Sequence, residues 1–109
     1  MNMPEDMNNM LQKLQELQDQ MARVQAELSS LTATAESGGG MVRVTANGKQ
    51  QLVQVKIDKE VIDPNDPEML EDLIVAAVNR ALDRAKELAD SRMNDSMRNM
   101  MPPGFPPLA

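Results

Sequence analysis

The sequence predicts an α+β fold with the order helix, three-stranded antiparallel meander, helix (α-β-β-β-α), in which the helices form projecting arms of a dimer. Two long stretches, one near each end of the chain, carry apolar residues at helical spacing. Between them lie three short stretches in which apolar and polar residues alternate. The 109 residues suffice for one domain. We assign it to residues 1–101 and expect a flexible Pro-rich tail at 102–109.

The first long stretch is a heptad repeat that predicts a helix over about residues 4–31. Pro4 and the two acids after it suit a first turn, because proline lacks only an N–H that would have no partner there. A seam that is apolar in four consecutive heptads is typical of a helix that packs on one or two other helices. The eight seam residues are Met7, Met10, Leu14, Leu17, Met21, Val24, Leu28 and Leu31.

The middle of the chain predicts the meander. Residues 32–36 alternate β-branched and small residues, three glycines at 38–40 predict a turn, and residues 41–46 form a second strand. Asn47-Gly48 is a strong hairpin signal, so residues 49–58 become the third strand. We expect one buried face, formed by Val42, Val44, Val53, Val55 and Ile57. The opposite face then presents Arg43, Thr45, Gln54 and Lys56 to water or to a ligand.

A second long helix begins at Asp66, a capping residue, and Pro67, and extends to about Asn99. Its apolar face is wide and rich in alanine, which permits close packing against a sheet or a symmetry mate. Asn79 on this helix either sets the register of a dimer or simply faces solvent. We predict a two-fold homodimer that buries part of this face. The residues assigned to the contact are Ile74, Ala77, Val78, Ala81 and Ala85.

If the two helices pack antiparallel, the Met-rich start of the first should meet the Met-rich end of the second. The methionine stripe has two readings, since methionine at helical spacing is ordinarily core but also suits an adaptable partner groove. The residues at the expected tip are Met3, Met93, Met97 and Met100.

The composition excludes several kinds of function. The chain has no His, Cys, Trp or Tyr and a single Phe. It therefore lacks imidazole and thiolate chemistry, and it lacks the aromatic platforms on which single-strand readers stack bases. No carboxylate pair has catalytic spacing, and the glycines at 38–40 lack the Lys-Ser/Thr of a phosphate loop. We expect that the chain is not an enzyme and that it binds no cofactor, metal, small-molecule substrate or membrane.

The charge is unevenly placed in a chain of net charge -6. Residues 41–59 hold four cations and one acid, which gives +3, and further cations follow on the second helix. These islands either contact phosphates or belong to a mixed, solvated surface.

Several segments together resemble the YbaB/EbfC family of bacterial nucleoid-associated proteins. They are residues 36–44, Asn47-Gly48 and Ile57-Asp58 in the strand region, residues 69–81 in the second helix, and residues 102–105 in the tail. The resemblance implies a small cytoplasmic homodimer at the nucleoid that binds double-stranded DNA between helical arms, alters DNA conformation and influences gene expression. It implies DNA contacts by arm cations, which in this chain are Lys13, Arg23, Arg84, Arg92 and Arg98. Arg43 and Lys56 on the strand face are second choices.

Two other functions compete with DNA binding at this point. A helix, hairpin and helix with methionine at the tips is similar to the arms of prefoldin-like holdase chaperones. A non-enzymatic scaffold could meet another protein through its Pro-rich tail.

Overall fold

The computed structural model describes residues 3–100 and confirms the predicted α-β-β-β-α order. Side chains within that range are described from Asp6 to Asn99. The elements are α1 (Met3–Ser30), β1 (Thr32–Ser37), β2 (Val42–Asn47), β3 (Leu52–Ile57) and α2 (Pro67–Met100). The predicted tail at 102–109 lies outside the described residues. The molecule is elongated, with extents of 78 × 31 × 16 Å and a radius of gyration of 21.3 Å. A compact domain of this length would have a radius of about 13 Å.

The three strands form one antiparallel sheet in the order β1-β2-β3. The connection between β1 and β2 uses Gly38, Gly39 and Gly40 at φ of 61°, 67° and 93°. Residues with a Cβ rarely adopt these angles, so this predicted turn depends on glycine.

The loop that joins β2 and β3 is longer than the two-residue Asn-Gly turn that the sequence predicted. The Asn47 side-chain oxygen accepts hydrogen bonds from the amides of Lys49 (2.9 Å) and Gln51 (3.2 Å), and Gln50 adopts a positive φ of 63°. This is the geometry of a three-residue loop that ends in a left-handed residue. β3 therefore begins at Leu52 and not at Lys49.

The core lies between α2 and the first two strands. Ala77, Ala81 and Ala85 are fully buried, one helical turn apart, because their small side chains let the helix lie close to the sheet. The residues that they pack against are also fully buried and are Ala35, Val42, Val44 and Ala46. The assignment of these three alanines to a dimer contact is therefore wrong, because a single chain already buries them. Ile74 and Val78, the other two residues of that assignment, are half-buried.

β3 is left largely uncovered. The register places Val55 opposite Val44 and Ile57 opposite Val42, so the predicted shared face is confirmed. The predicted burial is wrong for Val53 and Val55, which are 58% and 43% exposed. A helix is about 10 Å wide and neighbouring strands are about 4.8 Å apart, so one helix covers two strands and leaves the third open.

Beyond the sheet the chain forms a helical arm, which we define as α1 before Leu28 together with α2 after Ala89. The two helices run antiparallel and meet through Glu27 and Arg92. A cleft between them is lined by Leu17, Met21, Val24, Leu28 and Met93, together with polar residues of both helices.

The tip of the arm differs from the prediction. As far as Asn99, the end of α2 lies beside residues 17–21 of α1, as the residues that line their shared cleft show, so this part of α2 does not meet the Met-rich start of α1. The reason is length, because α2 packs on the sheet up to Ala89 and only about 11 residues remain for the arm. The first part of α1, with Met7 and Met10, extends past the end of the described part of α2. The side chains of Met3 and Met100 lie outside those described.

Candidate nucleic-acid interface

The structure separates the seven predicted cations into three regions. Four lie on the helical arm, one lies beside the edge of β1, and two lie on the sheet face that points away from α2. In that order the residues are Lys13, Arg23, Arg92 and Arg98, then Arg84, then Arg43 and Lys56.

Two of the four arm cations, Arg23 and Arg92, line the space between the helices. Arg23 lines the cleft on α1, with Ser96 and Asn99 of α2 among its other lining residues. Arg92 lies nearer the sheet and forms a salt bridge with Glu27, in which both side chains are substantially exposed. Arg98 occupies the last turn of α2. Lys13 precedes Arg23 by ten residues, which is about 15 Å along the axis of α1.

The arm as a whole is acidic, although it carries these cations. α1 has two cations against five acids, a local net charge of -3, and residues 90–100 of α2 carry two of each sign. A phosphate backbone that approaches the arm can contact only isolated cations, and the surrounding acidic side chains repel it. Few phosphate contacts are therefore available in each chain.

Arg84 does not lie on the arm, contrary to the assignment that the resemblance implied. Its guanidinium donates to the backbone oxygen of Thr34 at 2.9 Å, and Arg80, one turn earlier, donates to the backbone oxygen of Glu36 at 2.8 Å. These carbonyls belong to β1, which within residues 3–100 has no neighbouring strand on that side. The two arginines therefore occupy the hydrogen-bonding edge that β1 would otherwise offer to another chain.

The open sheet face carries the second-choice cations, and the exposure predicted for Arg43, Gln54 and Lys56 is confirmed. Arg43 and Lys56 are direct cross-strand partners, and Gln54 is exposed beside them. The Nε of Arg43 lies 3.4 Å from a carboxylate oxygen of Glu36, so one of the two charges is already compensated. Thr45 is half-buried, and its hydroxyl lies 2.8 Å from that of Thr34.

Sequence reasoning missed the role of Arg80 and the pairing of Arg92 with Glu27. The spacing of Arg80 and Arg84 showed that they share a helix face. Their acceptors are backbone oxygens 44 and 50 residues away, so no side-chain pattern pointed to them. Glu27 and Arg92 are 65 positions apart and meet only because the arm helices are antiparallel.

Two further observations concern other kinds of site. Across residues 3–100, no three acidic, histidine or cysteine side chains gather closely enough to hold a metal ion. In that same range, neither long helix is sufficiently apolar to cross a membrane.

Comparison with known proteins places this geometry in context. A model of the YbaB/EbfC DNA-binding family matches residues 2–100. A nucleoid-associated protein of Moorella thermoacetica is 49% identical over 100 residues, covering 92% of this chain and 96% of that protein. One of Syntrophobacter fumaroxidans is 48% identical over 97 residues, covering 89% and 88%. The crystal structure of an uncharacterized protein from Helicobacter pylori has the same fold, with a TM-score of 0.55, 24% identity, and coverage of 81% of this chain and 98% of that chain.

Proposed function

The chain belongs to the YbaB/EbfC DNA-binding family, and from this premise we propose that it binds duplex DNA at the nucleoid, in the cytoplasm, as a homodimer. The match over residues 2–100 is the observation that carries the proposal. The family is defined by DNA binding and not by catalysis, in agreement with the expectation that the chain is not an enzyme. Neither the family nor the names of the relatives support the chaperone or scaffold alternatives.

The DNA contacts that we propose are phosphate contacts made by arm cations. Lys13, Arg23 and Arg98 form no salt bridge with any side chain in the described part of the chain, whereas Arg92 shares its charge with Glu27. Phe105 is the one aromatic residue in the sequence, and a single ring cannot stack on successive bases. Binding therefore depends on charge and duplex shape, with six free arm cations in a dimer.

This arrangement predicts that the affinity for DNA falls steeply as the salt concentration rises. Six phosphate contacts correspond to a slope of about -5 in log K against log salt, and to a loss of about 1,000-fold between 50 and 200 mM salt. Replacing both Arg23 and Arg98 with Gln removes four contacts per dimer. We expect the slope to become shallower by about 4 and the affinity at 50 mM salt to fall at least tenfold, measured by titration onto a short fluorescent duplex.

A matched variant tests the position of the contacts. Replacing Arg43 and Lys56 with Gln removes the same charge from the sheet face, and we expect it to leave the slope nearly unchanged. The reverse result would move the DNA contacts from the arm to the sheet. Absence of duplex binding by the natural chain at 50 mM salt would refute DNA binding altogether.

We propose that the dimer forms through β3. The opposite edge of the sheet is occupied by Arg80 and Arg84. In the described part of the chain, β3 has no strand on its outer edge, and the side chains of Val53 and Val55 are exposed. Antiparallel pairing of two β3 strands would join the two sheets into one of six strands. Successive helical residues are 100° apart, so Ile74 and Val78 lie on the flank of α2 opposite Arg80, toward β3, where a second chain could cover them.

A pair of substitutions on β3 tests this interface. We expect Val55→Glu to convert the dimer to a monomer at micromolar concentration, because it places a charge at the centre of the apolar contact. Gln54→Glu adds the same charge on the other face of the same strand and should leave a dimer. Sedimentation equilibrium distinguishes the two outcomes. A natural chain that is monomeric, or a Val55→Glu chain that stays dimeric, would contradict the proposed interface.

A further inference from the structure

One acidic side chain of the arm is engaged by a cation of the opposite helix. Glu27, near the end of α1, accepts a hydrogen bond from Nη1 of Arg92, which lies in the outer part of α2. In the described part of the chain, this is the only salt bridge between the two helices, and no other acid of α1 pairs with a cation. Arg92 is therefore the arm cation whose charge is compensated.

Glu27 lies beside a second arginine as well. Arg23 precedes it by four residues, so the two residues are neighbours on one face of α1, with Cβ atoms about 5–6 Å apart. Arg92 approaches the same place from α2, where it lines a small pocket together with Glu27. Within the described residues, Arg23 forms no salt bridge with Glu27. One carboxylate thus lies next to two guanidinium groups and neutralises one of them.

The ion pair is accessible to a ligand as large as DNA. The side chains of Arg92 and Glu27 are 48% and 39% exposed. A guanidinium binds a phosphate through the same N–H donors that it offers to a carboxylate. A phosphate and the carboxylate of Glu27 therefore compete for one group at the surface of the arm.

We propose that Glu27 is an internal competitor of DNA, which holds Arg92 away from the phosphodiester groups that the neighbouring cations bind. This role rests on the proposed DNA contacts of the arm, and it identifies a residue that lowers the affinity. The carboxylate belongs to the same chain as Arg92, so its local concentration there exceeds that of a DNA phosphate. A phosphate that displaced it would also be repelled by the released charge of Glu27.

The competition limits how tightly the arm holds DNA. Each chain has three arm cations without a salt bridge in its described part, so a dimer has six. Release of Arg92 in both chains would raise this number to eight. Because Arg92 and Arg23 lie on either side of Glu27, the released cation would extend an existing group of contacts. The natural chain therefore binds DNA less tightly than its arginines would permit.

The test compares Glu27→Gln with the natural chain in titrations onto a short fluorescent duplex. Glutamine has nearly the shape of glutamate and removes only the charge, so Arg92 becomes free to bind a phosphate. Eight contacts in place of six should change the slope of log K against log salt from about -5 to about -7. We expect the affinity at 50 mM salt to rise about threefold or more. Loss of an exposed ion pair costs little stability, so the variant should fold as the natural chain does.

Two further variants separate release of Arg92 from a general change in charge. Glu16→Gln removes the same charge from an exposed position of α1 that forms no salt bridge in the described chain. It should leave the slope at about -5. Glu27→Gln combined with Arg92→Gln should also return the slope to about -5, because the released arginine is then absent. A purely structural ion pair would change the unfolding midpoint of Glu27→Gln and not this slope.

These measurements separate the role of Glu27 from DNA binding itself. If the natural chain binds the duplex and Glu27→Gln binds with the same slope, the role of Glu27 is overturned and DNA binding stands. A steeper slope that persists when Arg92→Gln is added would overturn the role of Glu27 as well. If neither the natural chain nor Glu27→Gln binds at 50 mM salt, both DNA binding and the competition are refuted.

Discussion

Replacement of Ala81 with leucine is expected to lower the free energy of unfolding by about 1–3 kcal/mol. Ala81 is fully buried where α2 crosses the sheet, and its neighbours across that contact, Val42 and Val44, are fully buried as well. Three additional carbons can be accommodated only by lifting the helix or by forcing side chains away from their preferred rotamers. α2 lies close to the sheet over more than two turns, because Ala77 and Ala85 are buried against it in the same way.

The measurement is denaturant unfolding followed by far-ultraviolet circular dichroism, since the chain has no Trp or Tyr to report by fluorescence. Asn79→Leu is the control, because Asn79 is exposed on the same helix and should change the stability by less than about 0.5 kcal/mol. Protein concentration must be equal in all samples, since dimerisation contributes to apparent stability. Equal effects of the two leucines would show that the alanine contact is not tightly packed.

Replacement of Gly48 with alanine is expected to destabilise the chain by about 2 kcal/mol or more. The Gly48 amide donates to the backbone oxygens of both Leu28 and Leu31, at 2.9 Å each. A Cβ on Gly48 would lie 2.8 Å from the oxygen of Leu28, closer than such atoms can approach. The hairpin would have to move away from the end of α1 and would lose this shared hydrogen bond.

Gly39→Ala separates this effect from the general cost of replacing a glycine. Gly39 has a φ of 67° and nothing within 4 Å of an added Cβ, so only the left-handed backbone conformation opposes the change. That cost is about 1 kcal/mol. If Gly48→Ala costs no more than Gly39→Ala in the same unfolding assay, the contact with α1 does not constrain the hairpin.

Local patterns predicted the elements of this fold because each element has a local cause. The alternation of apolar and polar residues predicted β1 and β2. The predicted cap of α2 at Asp66 is also present, since the Met69 amide donates a hydrogen bond to the Asp66 side chain at 3.3 Å. Patterns could not predict how many strands one helix would cover. The buried positions expected at Val53 and Val55 were therefore wrong, although Val55 does lie opposite Val44 as expected.

The candidate interface was less predictable, for a related reason. The sequence identified which residues are cations but not which of them other groups already engage. Arg84 bonds to a backbone oxygen of β1, and Arg92 pairs with Glu27. Reversing the charge of either residue would therefore disturb the fold as well as any contact with DNA. Arg23 and Arg98 are better probes, because neither forms a salt bridge within the described residues.

The shared hydrogen bond at Gly48 also has a mechanical consequence. It fixes the angle at which a helix of 28 residues leaves the hairpin, and such a helix is about 42 Å long. A tilt of about 10° at this pivot swings the far end of the lever by about 7 Å, comparable with the width of a DNA minor groove. A change of less than an ångström beside Leu28 is thereby amplified several-fold at the far end of α1.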